Sequence, residues 1–257
     1  MRKFSRIDDR LNYSLRPQAI HLNPLKSGPS CRISVGNVKN SDGTFTAIGG
    51  RTSVISTLLF THEAKNRNIV GSFHKPCLEV YIRPATGTVK SSTRAIEATL
   101  IKMMEKIVNS ETLGRITLSF RIQILEDSGG LLSVCLNALT ICLLISGIEI
   151  RELYFAVSFG IVKNEDEQEC VILDPTDAEV DGYCSTSLTL FCEPNSGEVA
   201  LLTIDSGSGC YEDESLQIIK TIAKKASSHY LAQLEELYNE SLDAAKITFG
   251  SNNFTKS

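Results

Sequence analysis

The sequence has no G-x-S-x-G, no G-x-G-x-x-G and no P-loop pattern, which removes the familiar turns for a serine nucleophile or a cradled nucleotide phosphate. Gly207-Ser208-Gly209 reads as a loop. There is no C-x-x-C pair and no histidine at zinc-ligand spacing: Cys31, Cys77, Cys135, Cys142, Cys170, Cys184, Cys192 and Cys210 are dispersed, most of them in apolar runs. Reduced core thiols are expected, in a cytosolic or nuclear setting. His21, His62, His74 and His229 are scattered and read as surface or loop residues. A basic excess is also missing. With 26 Lys and Arg against 30 Asp and Glu, the net charge of −4 argues against a free-standing protein wrapped on duplex nucleic acid, while leaving a local basic patch open. The opening MRKFSRIDDRLNYS lacks the apolar region of a secretory leader, and short-period repeats, low-complexity tracts and linkers are absent. One folded unit without a leader is expected.

What is present is organised around Asp127 to Ile148, DSGGLLSVCLNALTICLLISGI. A Gly-Gly turn opens this stretch, a charge-free helical pattern fills it and Gly147 closes it. Strand-like segments flank it, so a helix buried beneath a sheet is expected. The run is long enough to raise a membrane question, but Ser133, Asn137, Thr140 and Ser146 punctuate it and no basic cluster flanks it. No membrane span is expected.

Residues 1–30, broken by Pro17, Pro24 and Pro29, read as an extended N-terminal arm, 31–246 as a single domain and 247–257 as a C-terminal tail. CRISVGNV, TFTAIGG and RTSVISTLLF read as a β-meander with a turn at Ser41-Asp42-Gly43, followed by a polar loop from Thr61 to Lys75. Leu78 to Pro84 alternates as a strand, with Leu78, Val80 and Ile82 on one face. Ile96, Leu100, Met103, Met104 and Ile107 predict a helix over Ser91 to Val108, with Ser91 or Ser92 as N-cap. Ile116 to Leu125 is another strand. Beyond Gly147, strands are expected over 153–162, 170–173, 185–192 and 199–205, with turns at 164–169 and 195–197. An amphipathic segment from Asp213 to about Lys246 predicts one helix or two on that sheet. The fold class is α/β (α+β): mixed sheets with packed helices in a single domain.

Two groups of residues carry chemical potential. In LDPTDAEVD, Asp174, Asp177, Glu179 and Asp181 bring carboxylates close enough in sequence to hold a divalent metal, although Asp-Pro equally favours a solvated turn. Lys75, Arg83, Lys90 and Arg94 precede or open the first helix, where cations and a helix N-terminus together suit a phosphate group.

Four segments, in order, resemble the RNase PH family, and within it the ring subunits of the eukaryotic RNA exosome. They are SDGTFTAIGGRTSVIS, matching a D-G-S-A and G-T-x-V pattern; LEVYIRPATG, with its R-P-x-x-G; EDSGGLLSVCLNALTICLLISGI, with D-x-G-x-L; and CVILDPT. The resemblance spans about residues 38–245 and implies an RNase PH-like fold. It further implies a hetero-hexameric ring of related subunits, with RNA-binding cap subunits and a separate catalytic nuclease, threading single-stranded RNA. Nuclear, nucleolar and cytoplasmic RNA processing and degradation, including that of rRNA, would follow.

In active relatives an arginine and the start of the first helix hold phosphate, and two aspartates serve a metal. Here Arg94 and Glu97 align with that helix start, but the glycine-rich approach reads SSTRAIEATL. Asp174 is retained in LDPT, while position 180 is Val and Asp181 falls one residue out of register, which in a strand reverses its face. Arg94, Asp174 and Asp181 are therefore expected as remnants of a phosphate and metal site, with no catalytic residue, metal or cofactor of the chain's own. Lys75, Arg83, Lys90 and Arg94 are the expected RNA contacts. The alternatives are an active phosphate-dependent 3′-5′ exoribonuclease using Arg94, Asp174 and Asp181, and a small-molecule enzyme on a similar fold.

Overall fold

The computed structural model describes residues 6, 10–26, 28–39, 45–61, 76–113, 116–163, 169–207 and 212–250. The expected turn at Ser41-Asp42-Gly43, most of the 61–75 loop with Lys75, most of the turn at 164–169, and Cys210 lie outside these residues.

The chain builds one sheet, then a central helix, then a second sheet. The first sheet contains β1 (Gln18–Leu22), β2 (Ser30–Lys39), β3 (Phe45–Thr61), β4 (Cys77–Arg83) and β5 (Thr117–Glu126), in the order β1-β2-β3-β5-β4. All its pairs are antiparallel except β4 with β5, which are parallel because α1 (Ser91–Ile107) and the short α2 (Ser110–Leu113) cross between them. Helix α3 (Leu131–Ser146) leads to the second sheet, made of β6 (Phe155–Lys163), β7 (Glu169–Leu173), β8 (Cys184–Cys192) and β9 (Val199–Gly207) in the antiparallel order β7-β6-β8-β9. A short α4 (Asp177–Gly182) sits between β7 and β8, and α5 (Asp213–Gly250) closes the fold.

Helix α3 lies between the two sheets, against β2 and β3 on one side and β6 on the other. This placement explains its composition. With every residue from Leu132 to Leu143 buried, no face is left for charge. Its polar residues are each spent on backbone groups: Asn137 donates to the Ala156 carbonyl at 3.0 Å and accepts from the Ala156 N–H at 2.8 Å, and Thr140 donates to the Tyr154 carbonyl at 3.3 Å. They stitch the helix to the start of β6, satisfying groups that would be costly to bury unpaired. Among the described residues no helix is long and apolar enough to cross a membrane.

Several expectations change. TFTAIGG and RTSVISTLLF form one strand, because the ladder to β2 passes from Val35 opposite Thr52 to Asn37 opposite Ala47 and residues 48–51 bulge from it instead of breaking it. Helix α1 starts from Lys90, with no side-chain cap from Ser91 or Ser92. Its Leu100, Met103, Met104 and Ile107 are buried, and the helix packs on β4. The last amphipathic segment is a single helix that continues to Gly250, past the expected boundary at 246. Its buried stripe of Ile219, Ala223, Ala226, Tyr230 and Leu234 belongs to a helix lying on β6, β7 and β8. The N-terminal segment is built into the domain. Pro17 and Pro24 bracket β1 at the sheet edge, where a missing N–H is tolerated, and Arg6 and Arg16 are buried.

Truncating the interior of α3 should be severe: Leu139→Ala is expected to cost about 2–5 kcal/mol in urea unfolding. Leu144→Ala, at a residue 41% exposed on the same helix, should cost well under about 1 kcal/mol.

Candidate functional site

A cleft of about 810 Å³ opens between the two sheets, where the N-termini of α1 and α3 converge. Lys90, Ser92 and Thr93 bring the first turn of α1 to it, and Gly129, Gly130 and Leu131 bring the start of α3. Neither helix has a side-chain N-cap, so free backbone N–H groups and the positive ends of two helix dipoles face the same space. That is the geometry of an anion site.

The side chains oppose it. Asp127, Asp177 and Asp205 line the cleft, and Lys90 is the sole cation among its lining residues. Burial holds the Asp127 carboxyl above the usual range, against the lowering effects of the Gly129 N–H and of Arg16. Asp177 is raised by burial and then by the charges of Asp127 and Asp181. Asp205 is raised by burial despite its 2.6 Å hydrogen bond from the Thr189 hydroxyl. In their ionised forms these carboxylates would repel a phosphate, and each added negative charge in the cleft would push their pKa values further up.

Beside the cleft the chain is tied by buried arginines. Arg16 donates from Nη2 and Nε to the two carboxylate oxygens of Asp174, at 2.7 and 2.9 Å, and its backbone N–H adds a third bond at 3.0 Å. The same guanidinium reaches the carbonyls of Gly129 at 3.0 Å and Ser128 at 3.3 Å. Burial alone would lower the pKa of Arg16; its bond and charge pairing with Asp174 reverse that and leave it raised. Arg6 pairs bidentately with Glu179, at 2.8 and 2.7 Å, and donates to the carbonyls of Leu173 and Asp174. Arg10 lies 3.9 Å from both carboxylates. Asp174 takes a positive φ of 51°, a strained but tolerated conformation for aspartate.

Two turns meet under this clamp. The Asp177 N–H donates to the Ser128 carbonyl at 3.2 Å, and Thr52 bridges Ser128 and Gly129. At Gly129, φ is +107° and a Cβ would stand 2.8 Å from the Pro175 carbonyl and the Asp177 nitrogen. Only glycine fits.

The structure therefore separates the residues singled out in the sequence. Lys90 lines the cleft, while Arg83 and Arg94 are exposed outside its lining. Asp174 lies beneath Arg16, away from the cleft lining, and Glu179 is consumed by Arg6. Asp181 is exposed on α4: the segment read as a turn from its residues, and as part of a metal-bearing strand from the resemblance, is a helix, started by a capping box in which Thr176 and Glu179 satisfy each other's backbone N–H groups. Among the described residues no three His, Cys, Asp or Glu side chains group as metal ligands. Asp127, Asp205, Arg6 and Arg16 were not foreseen. The T-x-x-E spacing was the available signal for α4; the clamp joins residues 158 and 173 positions apart and left no local signal.

No protein-family model matches the chain. It is 24% identical over 200 residues to exosome complex component RRP46 of Saccharomyces cerevisiae, covering 74% of this chain and 87% of that protein. Among solved structures, rice Rrp46 superposes with a TM-score of 0.72 at 23% identity, covering 88% of this chain and 97% of that one. An Archaeoglobus fulgidus exosome with RNA bound to its active site superposes at 0.70 with 14% identity, covering 90% and 92%. The resemblance and the fold expected from the sequence are both met: this chain has the architecture of RNase PH-like exosome core subunits.

Asp174→Asn should leave Arg16 buried against a neutral partner and destabilise the protein by about 3–5 kcal/mol in denaturant unfolding, with Arg16→Met/Asp174→Leu recovering part of the loss. A second expectation follows from the raised pKa of Asp127. The folded state binds that proton more readily than the unfolded state, so ionisation costs stability above the folded pKa and nothing below the unfolded one. Asp127→Asn should therefore raise the melting temperature at about pH 7, with the gain vanishing by about pH 3.

Proposed function

We propose that this chain is a subunit of an RNase PH-like exosome ring that serves assembly and the guiding of single-stranded RNA, with no phosphorolytic chemistry of its own. The observation that carries the reading is the cleft: its helix N-termini are arranged for an anion, but Asp127, Asp177 and Asp205 wall it and Arg94 stands outside its lining. Asp174, the retained member of the expected metal pair, is neutralised by Arg16. Its neighbours would be related subunits of a hetero-hexameric ring, with RNA-binding cap subunits above and a separate nuclease below. The setting would be nucleus, nucleolus and cytoplasm, and the work RNA processing and degradation, including rRNA. The similarity to RRP46 of yeast and Rrp46 of rice supports this assignment.

RNA would be met outside the cleft. Arg83 is exposed at the end of β4, on the face that carries Tyr81, and Arg121 of β5 lies over the Tyr81 ring at 5.6 Å. Cations interleaved with an exposed aromatic ring suit a single strand, by charge and by stacking. Lys75 and Arg94 complete the proposed contacts there, and Lys90 adds one from the rim of the cleft.

Purified chain incubated with single-stranded RNA, magnesium and phosphate is expected to release no nucleoside diphosphate above the blank; release abolished by Asp177→Asn would overturn the silent reading. On mixing with the other ring subunits, light scattering should register a larger complex, and a chain that stays monomeric removes the assembly reading. In the assembled ring, Arg83→Glu with Arg94→Glu should weaken RNA binding and flatten its salt dependence by about 0.7 per lost phosphate contact.

A further inference from the structure

Strand β1 is an edge strand whose outer side has no strand partner among the described residues. The bonds from the Asn23 N–H to the Ser30 carbonyl and from the Gly36 N–H to the Pro17 carbonyl fix the antiparallel phase: Ala19 and His21 turn their polar groups to β2. Gln18, Ile20 and Leu22 consequently turn their backbone N–H and C=O groups outward. An open row of this kind is a template for another strand.

A groove runs beside it. One cavity of about 480 Å³ lies between Tyr13–Gln18 and α5, with Lys225 and His229 in its wall. A second of about 260 Å³ shares Gln18 and Gln233 with the first and continues past Ile20 to Glu236, Leu237 and Glu240. The far end, level with the open edge, is thus acidic around an apolar floor of Ile20 and Leu237.

We propose that this edge and groove take an extended basic segment of another polypeptide as an added strand. Its backbone pairs with Ile20 and Leu22, and alternate side chains, Lys or Arg among them, turn toward Glu236 and Glu240 of α5. Pockets for every second side chain beside an open edge are the requirement of strand addition. A second copy of this chain is the wrong occupant: a two-fold pairing centred on Ile20 would bring Glu236 and Glu240 of both copies together without a counter-charge. The proposal does not rest on the exosome reading.

The test uses full-length protein and fluorescein-labelled peptides of about ten residues, alternating Val with Lys or Val with Glu. The Val–Lys peptide is expected to raise anisotropy and to slow amide exchange at Ile20 and Leu22 by about tenfold or more, and the Val–Glu peptide to do neither. Ile20→Pro removes an outward N–H while leaving the bonds to β2 in place, so it should abolish binding while the amides of Ala19 and His21 stay protected by their pairing with β2. Glu236→Lys with Glu240→Lys should transfer the preference to Val–Glu. The proposal is overturned if Val–Lys fails to bind at about 1 mM, if both peptides bind alike, or if Ile20→Pro binds as the parent does. It falls equally if Ile20 and Leu22 already exchange slowly in dilute protein alone, since the edge is then covered from within the chain.

Discussion

The buried pair of Arg16 and Asp174 is the constraint on which the arrangement of the two halves depends. Desolvating two full charges is costly, and such a pair persists only where geometry and extra hydrogen bonds offset the loss. Both conditions hold. Asp174 accepts three bonds from Arg16, and two further guanidinium N–H groups go to the carbonyls before α3. One side chain from the N-terminal segment therefore fixes the end of β7 to the start of the central helix. Because α3 is packed between the sheets, its N-terminus, the acidic turn and the N-terminal segment share a single frame.

The same clamp decides the character of the cleft. Arg6 and Arg16 are spent on Glu179 and Asp174, so the positive charge near the site is turned inward, toward carboxylates that would otherwise be free. The polar side chains that remain facing the cleft are mostly acid and hydroxyl, beside two helix N-termini that attract negative charge. Backbone dipoles and side chains thus disagree about what belongs there. A scaffold can carry that disagreement, whereas a phosphate-dependent catalyst needs them to agree.

How much of this could be read from the residues depended on range. Helices α1 and α3 and strand β5 were legible because burial imposes its period directly: Ile122 and Ile124 alternate, and Leu100 and Met104 recur at helical spacing. The continuity of β3 was hidden because Gly49-Gly50 looks like a stop, although the ladder with β2 resumes beyond it. Helix α4 was missed because Asp174-Pro175 reads as a turn, although the Thr176 and Glu179 capping box was in view. The cleft's carboxylates come from Asp127, Asp177 and Asp205, on three separate segments, and only the fold brings them to one wall.

The span of the Arg16 to Asp174 contact also orders events at the ribosome. These residues lie 158 positions apart, so Arg16 emerges long before the carboxylate that will receive it. At ordinary rates of synthesis the interval is roughly 10–30 s, during which the N-terminal segment has no buried place to go. The first sheet can pair as its strands emerge, but the central helix waits for a second wall. Locking is a late step, timed by the arrival of the LDPT turn, and until then the nascent chain exposes the apolar surface that chaperones bind.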